Sequence, residues 1–299
     1  MKNPVKAKTD HDGTLIVGCG YLGTQVATIS RQMGNRVWAS TRNSRKAHQL
    51  SAAGFDPIVL DWTDRRTLSG LPQVDRVLVA VSYDRRSRLD RYESQVGGLR
   101  NLLSILPTSA HVTYISTTGV YHQTDGGWVD ERSPAKPTRQ GGRAHLDAEQ
   151  LLNRMRPNSA TTILRLSGIY GPGRVPRAAD VIAGRPIQSP ENGYLNLIHV
   201  RDAADAVLAT WQPSTSLRSL YLVSDDQPVV RGNFYREIAT QCGASEPRFE
   251  PPAADAPVSM RSNSNKRIRN RQMKCDLLPK LAYPTYREGL ADVLKGINA

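Results

Sequence analysis

The sequence predicts an α/β fold, a doubly wound parallel sheet with a small C-terminal substrate lobe. Three observations carry that prediction. Apolar runs suited to strands alternate with segments of helical periodicity through the first 166 residues. Some of those runs, above all residues 74–82 (VDRVLVAVS), are nearly continuous in apolar side chains, as strands buried on both faces require. A Gly18-Cys19-Gly20-Tyr21-Leu22-Gly23 stretch stands between the first strand and the first helix, the context in which G-x-G-x-x-G closes around a dinucleotide.

Thr14-Leu15-Ile16-Val17 forms the first strand, and Tyr21, Leu22, Val26, Ile29 and Met33 mark the first helix. Between them Gly18 allows a tight turn, Gly20 removes a Cβ that would block a pyrophosphate, and Gly23 lets the helix pack closely on the strand. The helix N-terminus, with Tyr21 and Leu22, then offers N–H groups to phosphate oxygens. A second strand over 36–41 ends in Thr41-Arg42-Asn43. In this fold an acidic residue about 20 positions past the glycines usually binds the adenosine ribose. Here Arg42 takes that place. A guanidinium cannot accept hydrogen bonds from ribose hydroxyls, but its planar fork pairs with a 2′-phosphate. The expected cofactor is therefore NADP, with NAD as the alternative and Ser40, Arg45 and Lys46 as helpers; the plainer reading leaves Arg42 facing solvent.

A helix over 44–53 closed by Gly54 leads to a third strand ending at Asp61. The strand at 74–82 brings Ala80 and Val81 to the same sheet end, and Asp61, Ala80 and Val81 join the expected cofactor set. A basic loop at 83–91, a helix at 89–106, a strand at 111–117 ending in hydroxyls, a helix at 144–155 and a strand at 161–166 complete the sheet. Beyond it the texture changes, with four glycines and four prolines in 167–190. A short strand at 194–200, a helix at 201–211, a strand at 220–224, a helix at 231–242, a proline-rich stretch at 247–257 and a final helix at 286–294 follow. These pieces read as a lobe grafted on the sheet, without a core of its own. The expected organisation is a flexible tail at 1–13, a dinucleotide-binding domain at 14–166 and a substrate lobe over most of 167–299, some of whose elements return to the sheet.

The 299 residues carry a net charge of +13, mostly as dispersed arginine. The densest run, 261–274 (RSNSNKRIRNRQMK), has no interleaved aromatics and matches no nucleic-acid motif. It reads as a solvated loop and short helix. Nucleic acid is disfavoured as a partner; an anionic cofactor or substrate accounts for part of the excess. Cys19, Cys242 and Cys275 are scattered, which suggests free thiols in a reducing cytoplasm and no metal site. No apolar run approaches the roughly 18–20 residues of a membrane span, and neither repeats nor low-complexity tracts are present.

Beside these readings several segments of the chain resemble those of one known family. The glycine stretch at 18–23 is similar to that family's fingerprint. Ile115-Ser116-Thr117-Thr118-Gly119-Val120-Tyr121 resembles its S-[ST]-x-x-V-Y segment. Residues 164–173 (LRLSGIYGPG) resemble L-R-x-x-x-x-Y-G-P-G, and 198–202 (IHVRD) resemble I-H-V-x-D. By these segments the chain resembles the extended short-chain dehydrogenase/reductases, in their NAD-dependent epimerase/dehydratase-like branch, and the stretches at 126–131, 223–226 and 283–290 resemble those of an atypical subgroup of it. The resemblance implies a Rossmann-type sheet and a hydroxyl–tyrosine–lysine site. It also implies a homodimer through the helices at 89–106 and 144–155.

Thr117 matches the hydroxyl position. The Y-x-x-x-K pair is missing: aligning Leu146 and Glu149 with K-L-x-x-E puts Gly141 where the tyrosine belongs and His145 where the lysine belongs. Glycine cannot transfer a proton, so His145 and Tyr121, with His122 beside it, are the substitute acid/base candidates. Asp130 and Glu131 read as turn carboxylates, His199 as a buried hydrogen-bonded group and Arg165 as a buried strand residue. Arg174 and Arg185 are candidate binders of an anionic substrate tail. Two functions stand open: an NADP-linked oxidoreductase or epimerase acting on a small hydroxyl or carbonyl compound, and a dinucleotide-binding sensor that has lost catalysis.

Overall fold

A computed structural model describes residues 13–213, 217–250 and 264–295. The tail expected at 1–13, apart from Gly13, lies outside the described residues, as do 251–257 of the proline-rich stretch and 261–263 of the basic run. The elements run β1 (Gly13–Val17), α1 (Tyr21–Gln32), β2 (Arg36–Thr41), α2 (Ser44–Ala52), β3 (Asp56–Val59), β4 (Arg76–Val79), α3 (Gly98–Leu103), β5 (His111–Thr117), β6 (Trp128–Val129) and α4 (Gln140–Met155). They continue with β7 (Thr161–Leu166), β8 (Gly168–Tyr170), α5 (Ala178–Ile182), β9 (Ile187–Gln188), β10 (Tyr194–Leu195), β11 (Leu197–His199), α6 (Val200–Thr210) and β12 (Leu220–Val223). β13 (Val229–Val230), α7 (Arg231–Cys242), β14 (Phe249–Glu250), β15 (Arg267–Ile268), α8 (Arg271–Asp276) and α9 (Tyr286–Leu294) close the chain.

Seven strands form one sheet in the order β12-β7-β5-β4-β1-β2-β3, which is the predicted doubly wound architecture. β1 pairs in parallel with both β2 and β4, and β4 with β5. β1 is buried at every position, so its sequence carries no polar alternation. β3, at the edge, alternates and accommodates Pro57, whose missing N–H an edge strand tolerates. From β1 the chain winds one way through β2 and β3, then returns to build β4, β5 and β7 on the other side. The reversal falls between β1 and β4, and a cleft opens beyond the C-terminal ends of such a pair.

Two helices depart from their sequence patterns. α4 starts four residues before the expected 144, because its apolar stripe begins only at Ala144 while its first turn holds Gly141 and Gly142. The helix expected at 89–106 contains a wide turn over Glu93–Gly97 before α3. Trp62 packs there against Gly98, where a Cβ would lie 2.6 Å from the indole.

The chain divides into two compact units. The first holds the described residues up to 116, of 139–164 and of 207–219; the second holds the described residues of 117–138, 165–206 and 220–299. The second unit corrects the expectation of a lobe without a core. Tyr170, Phe234, Tyr235, Tyr286, Ile187 and Leu290 belong to one buried cluster. Two short strand pairs, β8 with β11 and β9 with β14, contribute to it. Two of the family-like segments meet inside this unit: the Asp202 carboxylate of IHVRD accepts the N–H groups of Ala282 (2.7 Å) and Tyr283 (3.0 Å). His199 lies edge-on to Tyr170, its Nδ1 accepts the Arg201 N–H, and burial pushes its pKa down to about 4.

Asp225 is 1% exposed; one carboxylate oxygen accepts the Gln227 N–H. Burial, reinforced by Asp226 and Asp202, raises its pKa well above the ordinary carboxylate value despite that bond. The folded state thus binds this proton more tightly than the unfolded chain does. Stability from this group is greatest below the unfolded pKa and falls as pH rises toward the folded pKa. Asp225→Asn is expected to raise the melting temperature at pH 8 by about 2–4 °C, with the gain shrinking toward pH 5, in circular-dichroism melts.

Candidate functional site

The turn between β1 and α1 shows three glycines with three different reasons to be there. Gly18 has φ +94°, and a Cβ on it would lie 2.8 Å from the carbonyl of Ala80 and the nitrogen of Val81. Its conformation and its closeness to the end of β4 both demand glycine. A Cβ on Gly23 would run into the Gly18 carbonyl oxygen and crowd Ile16, so this glycine sets the spacing of α1 on β1. A Cβ on Gly20 would meet no atom within 4 Å; the space beside it is open. α1 has no side-chain cap and no acidic residue in its first turn. Its N-terminal N–H groups and partial positive charge therefore suit an anion. Gly20 sits at that N-terminus, so the open space is a cradle that fits a pyrophosphate.

β2 fixes the turn from the side. Ser40 Oγ accepts the Gly18 N–H at 3.0 Å, and the Lys46 ammonium donates to the Cys19 carbonyl. Ser40 and Lys46, expected to help with a phosphate, are thus engaged in holding the turn, while both still line the cleft. Leu22 is buried, so only its backbone is available to a ligand.

Arg42 also lines this cleft, between two carboxylates. Its Nη2 donates to Asp84 Oδ2 at 2.7 Å, and its Nη1 lies 4.0 Å from Asp61 Oδ2. Each acid is anchored through its other oxygen: Asp61 Oδ1 accepts the Thr63 N–H and hydroxyl, and Asp84 Oδ1 accepts the Arg86 N–H. The backbone bond from Arg86, then Arg42, holds the Asp84 carboxyl below its usual pKa.

On α4 the place opposite Gly141 belongs to Arg91. A Cβ at Gly141 would lie 3.4 Å from Arg91 Nη1, and the same guanidinium stacks on the Tyr83 ring at 4.4 Å. One turn on, His145 is held at both nitrogens, with Nδ1 3.0 Å from the Tyr114 hydroxyl and Nε2 3.3 Å from the Gln95 amide nitrogen. Burial, then the Arg91 charge, pushes its pKa down to about 4, so the imidazole is neutral at pH 7. With Gln95 donating to Nε2, Nδ1 carries the hydrogen. Glu149 accepts from the buried Ser116 hydroxyl and ties α4 to β5.

The other candidates lie in the second unit. Thr117 Oγ1 accepts the Gly119 N–H at 3.0 Å. Tyr121 is 4% exposed, and its hydroxyl accepts from Arg165 (2.7 Å) and donates to the Asp130 carbonyl (3.0 Å). Lys266, from the basic run expected to be solvated, is buried instead and donates to the Tyr121 carbonyl, because β15 pairs with β6. Arg185 makes a two-pronged contact with Asp180, and Arg174 closes a tight turn with Gly171.

The cleft thus brings together Gly18, Gly20, Arg42, Asp61, Ala80 and Val81. Tyr21, Leu22 and Gly23 form the first turn of the helix beside it, and His145 does not line it. Sequence reasoning missed Asp84, Arg91 and Gln95. The first two stood in a loop distinguished only by its charge; Gln95 stood in an apolar helix pattern. Among the described residues no cluster of His, Cys, Asp or Glu fits a metal, and no helix is long and apolar enough to cross a membrane.

Fold and cleft define a nucleotide-binding α/β protein of the Rossmann type. The profile of the NAD dependent epimerase/dehydratase family matches residues 14–219, and the chain belongs to that family. Protein YeeZ of Escherichia coli (strain K12) is 26% identical over 241 residues, 78% of this chain and 85% of its own. A solved protein of Methylobacillus flagellatus, classed with the NAD-dependent epimerases/dehydratases, is 30% identical with a TM-score of 0.76 over 96% of this chain and 99% of its own. The fold alone is shared with dTDP-glucose 4,6-dehydratase from Bacillus anthracis, solved in complex with NAD. That match has a TM-score of 0.79 at 15% identity and covers 95% of each chain.

The glycine geometry separates binding from folding. Gly20→Ala is expected to leave the melting temperature within about 2 °C of wild type while weakening dinucleotide affinity at least about tenfold, read by fluorescence titration. Gly23→Ala is expected to lower stability by about 1–3 kcal/mol in urea melts.

Proposed function

We propose that the protein binds NADP(H) and is an oxidoreductase or epimerase acting on a small, anionic hydroxyl or carbonyl substrate without the usual tyrosine–lysine pair. The observation that carries the reading is the cleft: an open space at Gly20, an uncapped helix N-terminus and Arg42 on one rim. Gly18, Gly20 and the first turn of α1 hold the pyrophosphate, Arg42 takes the 2′-phosphate, and Asp61, Ala80 and Val81 line the adenosine side. A bound nicotinamide supplies hydride transfer. Arg91 supports the anionic substrate, because it puts a fixed cation where the missing tyrosine side chain would extend. Arg174 and Arg185 serve a substrate tail, Arg185 by exchanging Asp180 for it.

For the chemistry, Thr117 is the hydroxyl that holds the reacting oxygen; its Oγ1 accepts from Gly119, and its own hydrogen is there to be donated. His145 and Tyr121 are assigned supporting roles. A neutral imidazole tied at both nitrogens and a phenol clamped between Arg165 and Asp130 position their elements instead of shuttling protons. The same two observations favour a second reading, a dinucleotide-responsive binding protein without turnover. Free cysteines support placement in a reducing cytoplasm. The exposed Tyr92, Ile105 and Met155 support a homodimer through the helices at 89–106 and 144–155.

Affinity and turnover test these separately. Arg42→Ala is expected to weaken NADPH about tenfold or more and NADH less than about twofold; equal losses contradict the NADP assignment. With NADPH bound, small carbonyl compounds bearing a carboxylate or phosphate are expected to consume nicotinamide absorbance, and Thr117→Ala to slow that loss about 100-fold. Tight binding with no turnover in either protein leaves the binding reading standing.

A further inference from the structure

Arg42 is not a free cation awaiting a phosphate. Asp84 Oδ2 accepts from its Nη2 at 2.7 Å, Asp61 Oδ2 lies 4.0 Å from its Nη1, and the nearby Lys46 donates to the Cys19 carbonyl. All four side chains line the same cleft. Among the charged side chains that line the cleft two carboxylates balance two cations, and Arg86 adds its charge beside Asp84. A bidentate phosphate contact needs two adjacent guanidinium N–H groups. One edge of Arg42 is already spent on Asp84.

Asp84 is a loosely held partner. The side chains of Arg42 and Asp84 are 54% and 37% exposed, and exposed pairs of this kind add little to folding stability. Asp84 belongs to the loop after β4, whereas Arg42 ends β2, so the pair joins two loops at the cleft mouth without supporting the sheet. The Asp84 carboxylate stays ionised at neutral pH, since Arg86 and Arg42 both hold its pKa down. The ribose hydroxyls of an unphosphorylated dinucleotide are donors, which a carboxylate welcomes; a 2′-phosphate is repelled by it and must displace it from Arg42.

We propose that Asp84 is a specificity-determining residue that competes with the cofactor 2′-phosphate for Arg42, and so sets how strongly the protein prefers the phosphorylated dinucleotide. The proposal rests on the assignment of Arg42 to the 2′-phosphate. It adds an acid 42 residues away from that arginine in sequence as the second half of the discriminator.

The test is the dissociation constant of NADPH and of NADH, by fluorescence titration, for wild type, Asp84→Asn, Arg42→Ala and the double variant. Asp84→Asn is expected to tighten NADPH about 5- to 20-fold and to leave NADH unchanged or weaker by up to about threefold, since the carboxylate that favours the ribose hydroxyls is gone. The NADPH gain is expected to shrink to about twofold when Arg42 is already alanine, because only direct repulsion then remains. Asp84→Ser, which cannot bridge to the guanidinium, repeats the test and is expected to agree. Equal shifts for both cofactors, or weaker NADPH in both Asp84 variants, overturn the proposal. If Arg42→Ala discriminates between the cofactors while both Asp84 variants do not, this inference fails and the NADP assignment survives. If Arg42→Ala affects both cofactors alike, the assignment itself fails.

Discussion

The structure depends on a contact of backbone with backbone. The turn after β1 presses Gly18 against Ala80 and Val81 at the end of β4, and Gly23 brings the first turn of α1 down on the Gly18 carbonyl. No side chain mediates either approach, and none can be added without moving the helix or the strand. These contacts put the N-terminus of α1 at the point where the order of the sheet reverses. Because Gly20 has nothing opposite it, the same packing that closes the core below the turn leaves a space above it. The open space and the fold thus arise from one set of glycines, which act in opposite senses: two permit close packing and one leaves space empty.

Charge is arranged around that space more evenly than a chain of net charge +13 suggests. The cations nearest the cleft are paired, Arg42 with Asp84 and Lys46 with a carbonyl. Beside α4, the Arg91 guanidinium lies on the Tyr83 ring and burial lowers its pKa. In the second unit Arg165 and Lys266 surround Tyr121. Buried and half-buried cations with defined partners position things; long-range attraction for a polyanion comes from clustered exposed ones.

The sheet and its glycine turn were legible in the sequence because each needs particular residue types at fixed spacing. Continuous apolar runs mark doubly covered strands, and a positive φ at Gly18 leaves few alternatives to glycine. Arg42 was legible as a departure from an acidic position, but its partner was not: Asp84 sits 42 residues on, in a loop with no period. Gly141 was legible as an absence, whereas Arg91, which takes up the space, was hidden in the same loop. The core of the second unit escaped because Tyr170 lies on a three-residue strand, Phe234 and Tyr286 lie on separate helices, and the three meet only in three dimensions. Lys266 escaped because its burial follows from β15 pairing with β6, a register that a run of cations does not announce.

The central claim is that this cleft holds the phosphates of NADP, the pyrophosphate at the α1 N-terminus and the 2′-phosphate at Arg42. Phosphorus NMR of NADPH titrated with wild-type protein reads both groups at once. The account predicts that the pyrophosphate and 2′-phosphate resonances both move on binding. It also predicts that the 2′-phosphate stays dianionic to lower pH than in free NADPH, since a guanidinium favours the charged form. A bound cofactor whose 2′-phosphate titrates as it does in free solution would contradict it.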